Sequence, residues 1–260
     1  MTMLHFSANL SLLFTELPMI DRFKAAKQHG FDWVEIQFPY QIPPRVLKVA
    51  MDEAEVELAL FNISADNLMA GGEGLAAVPE KREAFIEAVD IAAEYAKVLS
   101  PRLINVLAGR CSHAERLEIY LETFKGNLGF TAEMFAGYGI RTVFEAVNNK
   151  DMPGFIISSG QQMLNLINDI DHPNLYMQYD IYHMYMMGEE PIKFIAEHWD
   201  KIGHIQFADA PGRGQPGTGE IDFSSLFKCI ADLDYDGFLG AEYKPIGITN
   251  DSLDWIAKFG

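Results

Sequence analysis

Short apolar runs rich in β-branched and aromatic residues alternate with longer stretches of helical period along the whole chain, about eight times over. No other feature limits the possible folds as much. The short runs fall near 4–8, 32–37, 57–62, 102–107, 141–146, 175–181, 202–207 and 237–242. The longer stretches lie near 17–29, 44–54, 80–98, 113–137, 159–170, 190–199 and 222–234. In 80–98, Phe85, Val89, Ala92, Ala93 and Ala96 form one apolar stripe, while Glu83, Glu87, Asp90, Glu94 and Lys97 face away. Repeated strand–helix units predict a parallel sheet with helices outside it. Their number, in a chain of 260 residues, predicts a closed (β/α)8 TIM barrel with 1–260 as one domain, rather than an open doubly wound sheet. No GxGxxG follows the first run, which weighs further against a dinucleotide fold.

Four of the runs end in an oxygen-bearing side chain: Glu145, Asp180, Gln206 and Glu242. Successive members are 35, 26 and 36 residues apart, about one strand-plus-helix unit. Neighbouring strands of a barrel lie about 4.8 Å apart, so the four residues should curve around one space. Alternation puts Gly240 and Glu242 on one face of the last strand, and His204 and Gln206 on one face of the seventh. Three unpaired carboxylates would be costly to bury together, and a bound cation resolves that conflict. The donor set holds neither sulfur nor imidazole, so it predicts Mg²⁺ or Mn²⁺ rather than Zn²⁺. A hard cation gripping an α-hydroxy carbonyl compound polarises the carbonyl and stabilises an enediolate. Glu145 and Glu242, the outer members of the set, are the natural pair to exchange protons with adjacent carbons.

Charge and composition restrict the partners. Thirty-seven acidic residues against 20 basic ones give a net charge of −17, which repels nucleic acid and anionic membranes. An anionic substrate therefore needs local positive charge. Cys111 and Cys229 form no CxxC pair and read as reduced thiols. The start of the chain lacks the basic and apolar regions of a secretory leader. No apolar stretch approaches the roughly 20 residues of a membrane span. The expected setting is the cytoplasm. An apolar patch on the outer helices would allow a homo-oligomer, although the sequence locates none.

Other residues are candidates around the site. His183, three residues after Asp180, is placed either to hydrogen-bond a substrate oxygen or to serve a structural role. Arg213 and Lys244 are either anion contacts or solvated charges. Glu35 and Asn62 are placed to line the pocket, whereas His5 and His204 read as core histidines. Two irregular stretches, 63–79 and 208–220, follow the third and seventh strands. Both should therefore lie on the C-terminal rim, where barrel active sites form. The apolar residues of 63–79 argue that it packs over something, whether or not it acts as a lid.

Several short motifs then appear in order. They are Phe6-Ser7-Ala8-Asn9-Leu10-Ser11, Val34-Glu35 with Phe38-Pro39-Tyr40, Tyr179-Asp180-Ile181-Tyr182-His183, Gly217-Thr218-Gly219-Glu220-Ile221 and Glu242-Tyr243-Lys244-Pro245. In this order and spacing the chain resembles the hydroxypyruvate isomerase family, among the xylose-isomerase-like TIM barrels, along essentially its whole length. The resemblance implies conversion of hydroxypyruvate to tartronate semialdehyde. It implies that Glu145 and Glu242 are the catalytic proton donor and acceptor. It also implies that Glu145, Asp180, Gln206 and Glu242 ligate a divalent metal, with Mg²⁺ expected. Related sugar epimerases usually carry histidine where Gln206 stands, which bears on metal identity and substrate class. Close relatives act on the four-carbon 2-oxo-tetronate; the loop Ala208–Gly214 resembles the hydroxypyruvate branch more closely. A multi-metal phosphodiesterase resembling endonuclease IV would need a histidine-rich cluster and a basic surface, which seven histidines and a charge of −17 do not offer. A non-catalytic binding barrel would show a broken ligand set, and this one is intact.

Overall fold

The computed structural model describes residues 3–260. Met1 and Thr2, at the start of the segment read for a leader, lie outside the described residues. Eight strands form: β1 His5–Asn9, β2 Trp33–Ile36, β3 Glu57–Asn62, β4 Leu103–Val106, β5 Arg141–Glu145, β6 Leu175–Asp180, β7 Ile202–Phe207 and β8 Phe238–Ala241. Each pairs in parallel with the next, and β8 closes on β1 through His5–Phe238 and Ala8–Ala241. The predicted (β/α)8 barrel is thus the observed fold.

Outward-facing residues such as Val34, Ile104, Phe144, Met177, Ile205 and Leu239 are fully buried beneath the helices. A parallel sheet covered on its outer face requires such apolar runs. Inside, the barrel has two levels. At the N-terminal end, Ala59, Leu60, Leu103 and Val143 pack with Trp33, Tyr176 and Phe238 as a separate apolar cluster. Above it the interior is polar, with Ser7, Asn9, Glu35, Asn105, Gln178, His204 and Gln206 all buried. From outside, Phe207 meets Phe6, Phe227 and Trp255 edge-on, with ring centroids 6.0, 5.3 and 5.2 Å away. This aromatic wedge backs β1, β7 and β8 where they carry site residues.

All seven expected helices are present, most with one or both ends trimmed: α1 Met19–Gln28, α2 Pro44–Ala54, α3 Arg82–Leu99, α4 Leu117–Ala136, α5 Gly160–Ile170, α7 Pro191–His198 and α8 Phe223–Ala231. Two were not legible: α6 Ile181–Met186 and the C-terminal α9 Ile256–Phe259. Helix α6 leaves β6 with no loop between them, so an apolar strand runs straight into an apolar helix and periodicity cannot divide them. Asp180 is the junction. Its Oδ1 accepts the His183 backbone N–H at 3.2 Å, capping the helix.

The position of His5 inside a strand predicts a core residue, yet the structure leaves it exposed. It lines a cavity of about 330 Å³ with Trp33, Arg102, Arg141, Asp236 and Phe238, at the N-terminal mouth opposite the strand-end carboxylates. The stretch 63–79 does pack inward: Ala65, Leu68, Leu75, Ala76, Ala77 and Val78 are buried. Glu73 O accepts the Arg110 N–H at 2.9 Å. A Cβ on Gly109, where φ is +95°, would stand 2.3 Å from that oxygen, so only glycine lets the two loops approach this closely.

Candidate active site

Glu145, Asp180, Gln206 and Glu242 gather at the C-terminal end of the barrel, and none is more than 7% exposed. Glu242 is the first residue beyond β8; its N–H donates to Phe207 O at 3.1 Å. Glu145 and Glu242 have unequal surroundings. Glu242 Oε1 accepts from Asn9 Nδ2 at 3.1 Å and from Gln37 Nε2 at 2.9 Å, and its Oε2 pairs closely with the Arg213 guanidinium. Glu145 Oε1 accepts from Asn105 Nδ2 at 3.0 Å. Asn105 in turn donates to Asn62 Oδ1 at 3.1 Å, so Asn62 supports the site from one residue away.

Burial dominates the titration of these acids. It pushes the Glu145 carboxyl up to about 8, helped by the charges of Glu242 and Asp180. Burial also raises Asp180 and Glu242, against the opposing pull of Arg213. Burial alone would lower the Arg213 pKa, but Glu242, Asp180 and Glu145 outweigh it and raise the value. The guanidinium is therefore a permanent charge. Arg213 Nη2 lies 3.6 Å from Asp180 Oδ2, and the group sits 5.2 Å from the Tyr182 ring centroid.

Arg213 is presented by a loop with its own internal support. The buried Asp209 carboxylate accepts four backbone N–H groups: Ala210 and Ile221 on Oδ1 at 2.9 and 3.1 Å, Gly217 and Gly219 on Oδ2, both at 2.8 Å. Arg213 itself has φ of +58°, a conformation that costs a non-glycine residue about 1 kcal/mol or more. Its carbonyl accepts the Lys244 N–H at 2.7 Å. The Lys244 side chain is exposed. The structure thus brings Arg213 into the cluster and leaves the Lys244 ammonium outside it.

His183 is buried, and burial first, then Arg213, lowers its pKa to about 3, so the imidazole is neutral. Nδ1 lies 2.6 Å from Asn148 Nδ2 and 3.4 Å from the Asn148 N–H. Both partners donate, so Nδ1 accepts and the ring proton resides on Nε2. Nε2 lies 3.6 Å from Asp180 Oδ2, on the cluster side. A neutral N–H donor facing the carboxylates suits a substrate oxygen. Asn148 is fixed by Asp151 at 3.0 Å, and Asp151 accepts the Tyr182 hydroxyl at 2.8 Å.

Below the four strand-end residues lies Glu35, fully buried. Burial opposes its ionisation, yet His204, Ser7 and Gln206 together hold its pKa below the ordinary value. The expectation that His204 is a core histidine holds: it is fully buried, with Nε2 2.9 Å from Glu35 Oε1. The ring is not aligned for a hydrogen bond there, so the contact is one of proximity. Sequence reasoning missed Asn9, Gln37, Asn105, Asn148, Gln178 and Asp209. Two of them, Gln37 and Gln178, lie two positions from a residue already chosen, Glu35 and Asp180. Asn9 and Asn105 lie on strands from which no site residue was chosen, and Asn148 and Asp209 lie in the loops after β5 and β7. Carrying the period of two along the strands, Glu35 to Gln37 and Asp180 back to Gln178, would have found those two; no such signal marks the loop residues Asn148 and Asp209.

The residues present fit a divalent cation. Arg213 pairs with Asp180 and Glu242 alone, and burial with its neighbours raises the Glu145 pKa; were all three carboxylates ionised, two negative charges would stay uncompensated, the charge of one Mg²⁺ or Mn²⁺. Asn105 Oδ1 and Gln178 Oε1, on the strands flanking β5, are buried oxygens without a hydrogen-bond partner, a further surplus of acceptors. Among the described residues, no three Asp, Glu, His or Cys side chains already close on a common centre. Arg213 occupies the space between Asp180 and Glu242.

Comparison with known proteins places the chain in a lineage. Residues 23–259 match the family model described as a xylose isomerase-like TIM barrel. The chain is 41% identical to the hydroxypyruvate isomerase of Escherichia coli (strain K12), over 99% of this chain and 100% of that one. It is 38% identical to the 2-oxo-tetronate isomerase of Pectobacterium atrosepticum, over 96% and 95% of the two chains. A crystal structure described as an AP endonuclease, family 2, from Brucella melitensis superposes with a TM-score of 0.95 at 32% identity, over 99% of both chains. By fold, by match length and by identity, the chain belongs to the hydroxypyruvate isomerase family of xylose isomerase-like TIM barrels.

Proposed function

We propose that this protein interconverts hydroxypyruvate and tartronate semialdehyde, using Glu145 and Glu242 to move protons. One observation carries the reading: two buried glutamates from β5 and the end of β8 act on one cluster, within electrostatic reach of each other and of Asp180. In the forward direction one glutamate takes a proton from C3 of the substrate, leaving an enediolate across C2 and C3. A glutamate returns a proton to C2, and the proton of the O3 hydroxyl passes to O2, so that atoms and charge balance. His183 Nε2–H donates to a substrate oxygen. Arg213 attracts the substrate carboxylate, which the −17 background would otherwise repel. Glu145, Asp180, Gln206 and Glu242 would hold a divalent cation, Mg²⁺ or Mn²⁺. When bound, that ion supplies Lewis-acid polarisation of the carbonyl.

The relatives leave the length of the substrate open between three and four carbons, since the 2-oxo-tetronate isomerase of Pectobacterium atrosepticum is nearly as similar as the hydroxypyruvate isomerase of Escherichia coli. Among the described residues no helix is long and apolar enough to cross a membrane. Both cysteines are free, in keeping with the cytoplasmic setting proposed here. The test is turnover in D₂O with added Mg²⁺, run on hydroxypyruvate and 2-oxo-tetronate in parallel. Solvent deuterium should enter the product carbon, and a chelator should stop turnover. An absence of turnover on both acids refutes the function; turnover without deuterium points instead to a hydride shift or to a proton shielded from solvent.

A further inference from the structure

We propose that Glu35 is a positioning residue: it sets which way the Gln206 amide faces, and so which of its two ends is turned toward the carboxylates. An amide side chain is nearly symmetric in shape, and its neighbours decide its orientation. Gln206 Nε2 donates to Glu35 Oε2 at 2.9 Å. A carboxylate can only accept, so the NH₂ end of Gln206 is pinned to β2 and the carbonyl end turns away from it. There Gln206 Oε1 accepts from Gln178 Nε2 at 2.7 Å and keeps a second lone pair free. The same polarity passes to β6, because Gln178 must present its own NH₂ to Gln206, which leaves Gln178 Oε1 unpartnered.

Glu35 is built in from every side. Ser7 Oγ donates to its Oε1 at 2.5 Å, His204 Nε2 stands 2.9 Å from the same oxygen, and Asn9 Nδ2 reaches Oε2 at 3.4 Å. The wall opposite is Gly240, where a Cβ would stand 2.2 Å from Glu35 Oε1. Glu35 and Gln206 are 171 residues apart in the chain, and only closure of the barrel joins them. The value of this arrangement to a cation rests on the proposed function, through Gln206 as a ligand; the orientation of the amide does not.

Glu35→Gln keeps the size of the side chain but can donate as well as accept, so it removes the constraint. Mn²⁺ binding, followed by electron paramagnetic resonance on the intact protein, should weaken about 10–100-fold, the usual cost of losing a residue that orients a ligand. The double variant Glu35→Gln/Gln206→Met should bind no more weakly than Gln206→Met alone. Wild-type affinity in Glu35→Gln, or additive losses in the double variant, would overturn the proposal. If the wild-type protein binds no Mn²⁺, the metal reading fails by itself. The side-chain ¹⁵N–H resonances of Gln206, identified by their loss in Gln206→Met, then decide the orientation. In Glu35→Gln they should shift and exchange faster with solvent, and unchanged resonances overturn the proposal. Should Glu35→Gln not fold, Ser7→Ala loosens the same carboxylate by one hydrogen bond. A shift of the Gln206 resonances is expected there, with Mn²⁺ affinity lower by roughly 3–10-fold; no change in either overturns the proposal.

Discussion

Gly240→Ala tests whether the polar interior is as tightly built as its distances imply. The added methyl would stand 2.2 Å from Glu35 Oε1 and 2.9 Å from both Cδ and Oε2, so the carboxylate would have to retreat about 1 Å to reach ordinary contact. It has little room to do so, since Ser7, His204 and Gln206 hold it at 2.5, 2.9 and 2.9 Å. Overpacking of this kind costs about 1–3 kcal/mol. A disrupted hydrogen bond to a charged group adds about 1.5–3 kcal/mol. The expected loss is therefore roughly 3–5 kcal/mol, or on the order of 10 °C in Tm for a chain of this size. Thermal and urea unfolding followed by circular dichroism read it directly. Gly126→Ala is the control: that glycine is an exposed residue of α4 with nothing within 4 Å of the added Cβ. The same change there should stabilise by about 0.5–1 kcal/mol through helix propensity. If Gly240→Ala stays within about 0.5 kcal/mol of wild type, Glu35 is not locked in place and the reasoning about the interior fails.

Other outcomes follow from the site. Glu145→Gln or Glu242→Gln should lower kcat by at least about 100-fold with an unchanged far-ultraviolet spectrum; near-normal turnover removes that residue from the chemistry. Arg213→Met strips the one guanidinium from Asp180 and Glu242, which should destabilise the chelated protein by about 3–5 kcal/mol and raise KM for the anionic substrate; an unchanged KM would show that the carboxylate is held elsewhere. The folded-state pKa of Glu145 lies at about 8, above its ordinary 4.5. Its contribution to stability is therefore present below pH 4.5 and lost as pH rises through 8. Chelated protein should accordingly lose Tm between pH 5 and 8, and Mg²⁺ should flatten that fall; a Tm of chelated protein that holds level over this window contradicts the shift. Asp209→Asn puts an NH₂ group against backbone donors of the 208–220 loop, so limited proteolysis there should quicken, and wild-type resistance would mean that other contacts fix the loop.

Much of this architecture was legible because a barrel repeats one simple pattern. Strand–helix alternation is local, and the step from eight units to a closed ring needs only length. Glu145, Asp180, Gln206 and Glu242 stood out for the same reason: each ends an apolar run, where a polar side chain is conspicuous. Helix α6 was invisible because Asp180 serves at once as the last residue of a strand and the cap of a helix, and no turn residue intervenes. His5 was misread because an inward-facing position at the first residue of a strand opens onto the barrel mouth rather than its core. The separate fates of Arg213 and Lys244 were beyond the sequence. They depend on Asp209 gathering four N–H groups, and on a positive φ at Arg213 that aims the guanidinium inward.

The orientation of Gln206 was hidden for a different reason. Alternation along β7 predicts that its side chain points inward, but says nothing of which amide end leads. That choice depends on an acceptor on β2 that comes near only when β8 closes against β1. A histidine at this position would present a ring nitrogen to a cation, and a carboxylate behind it would fix a tautomer rather than the facing of an amide. With glutamine there, a fixed acceptor behind the amide becomes a requirement, and the burial of Glu35, costly by itself, acquires a reason. Glutamine at 206 and a carboxylate at 35 should therefore behave as one unit. Gln206→Met, introduced alone, should make Mn²⁺ affinity insensitive to Glu35→Gln, because no amide then remains to be oriented. If Glu35→Gln weakens Mn²⁺ binding as much in the methionine background as in the wild type, the two residues are not coupled through the amide.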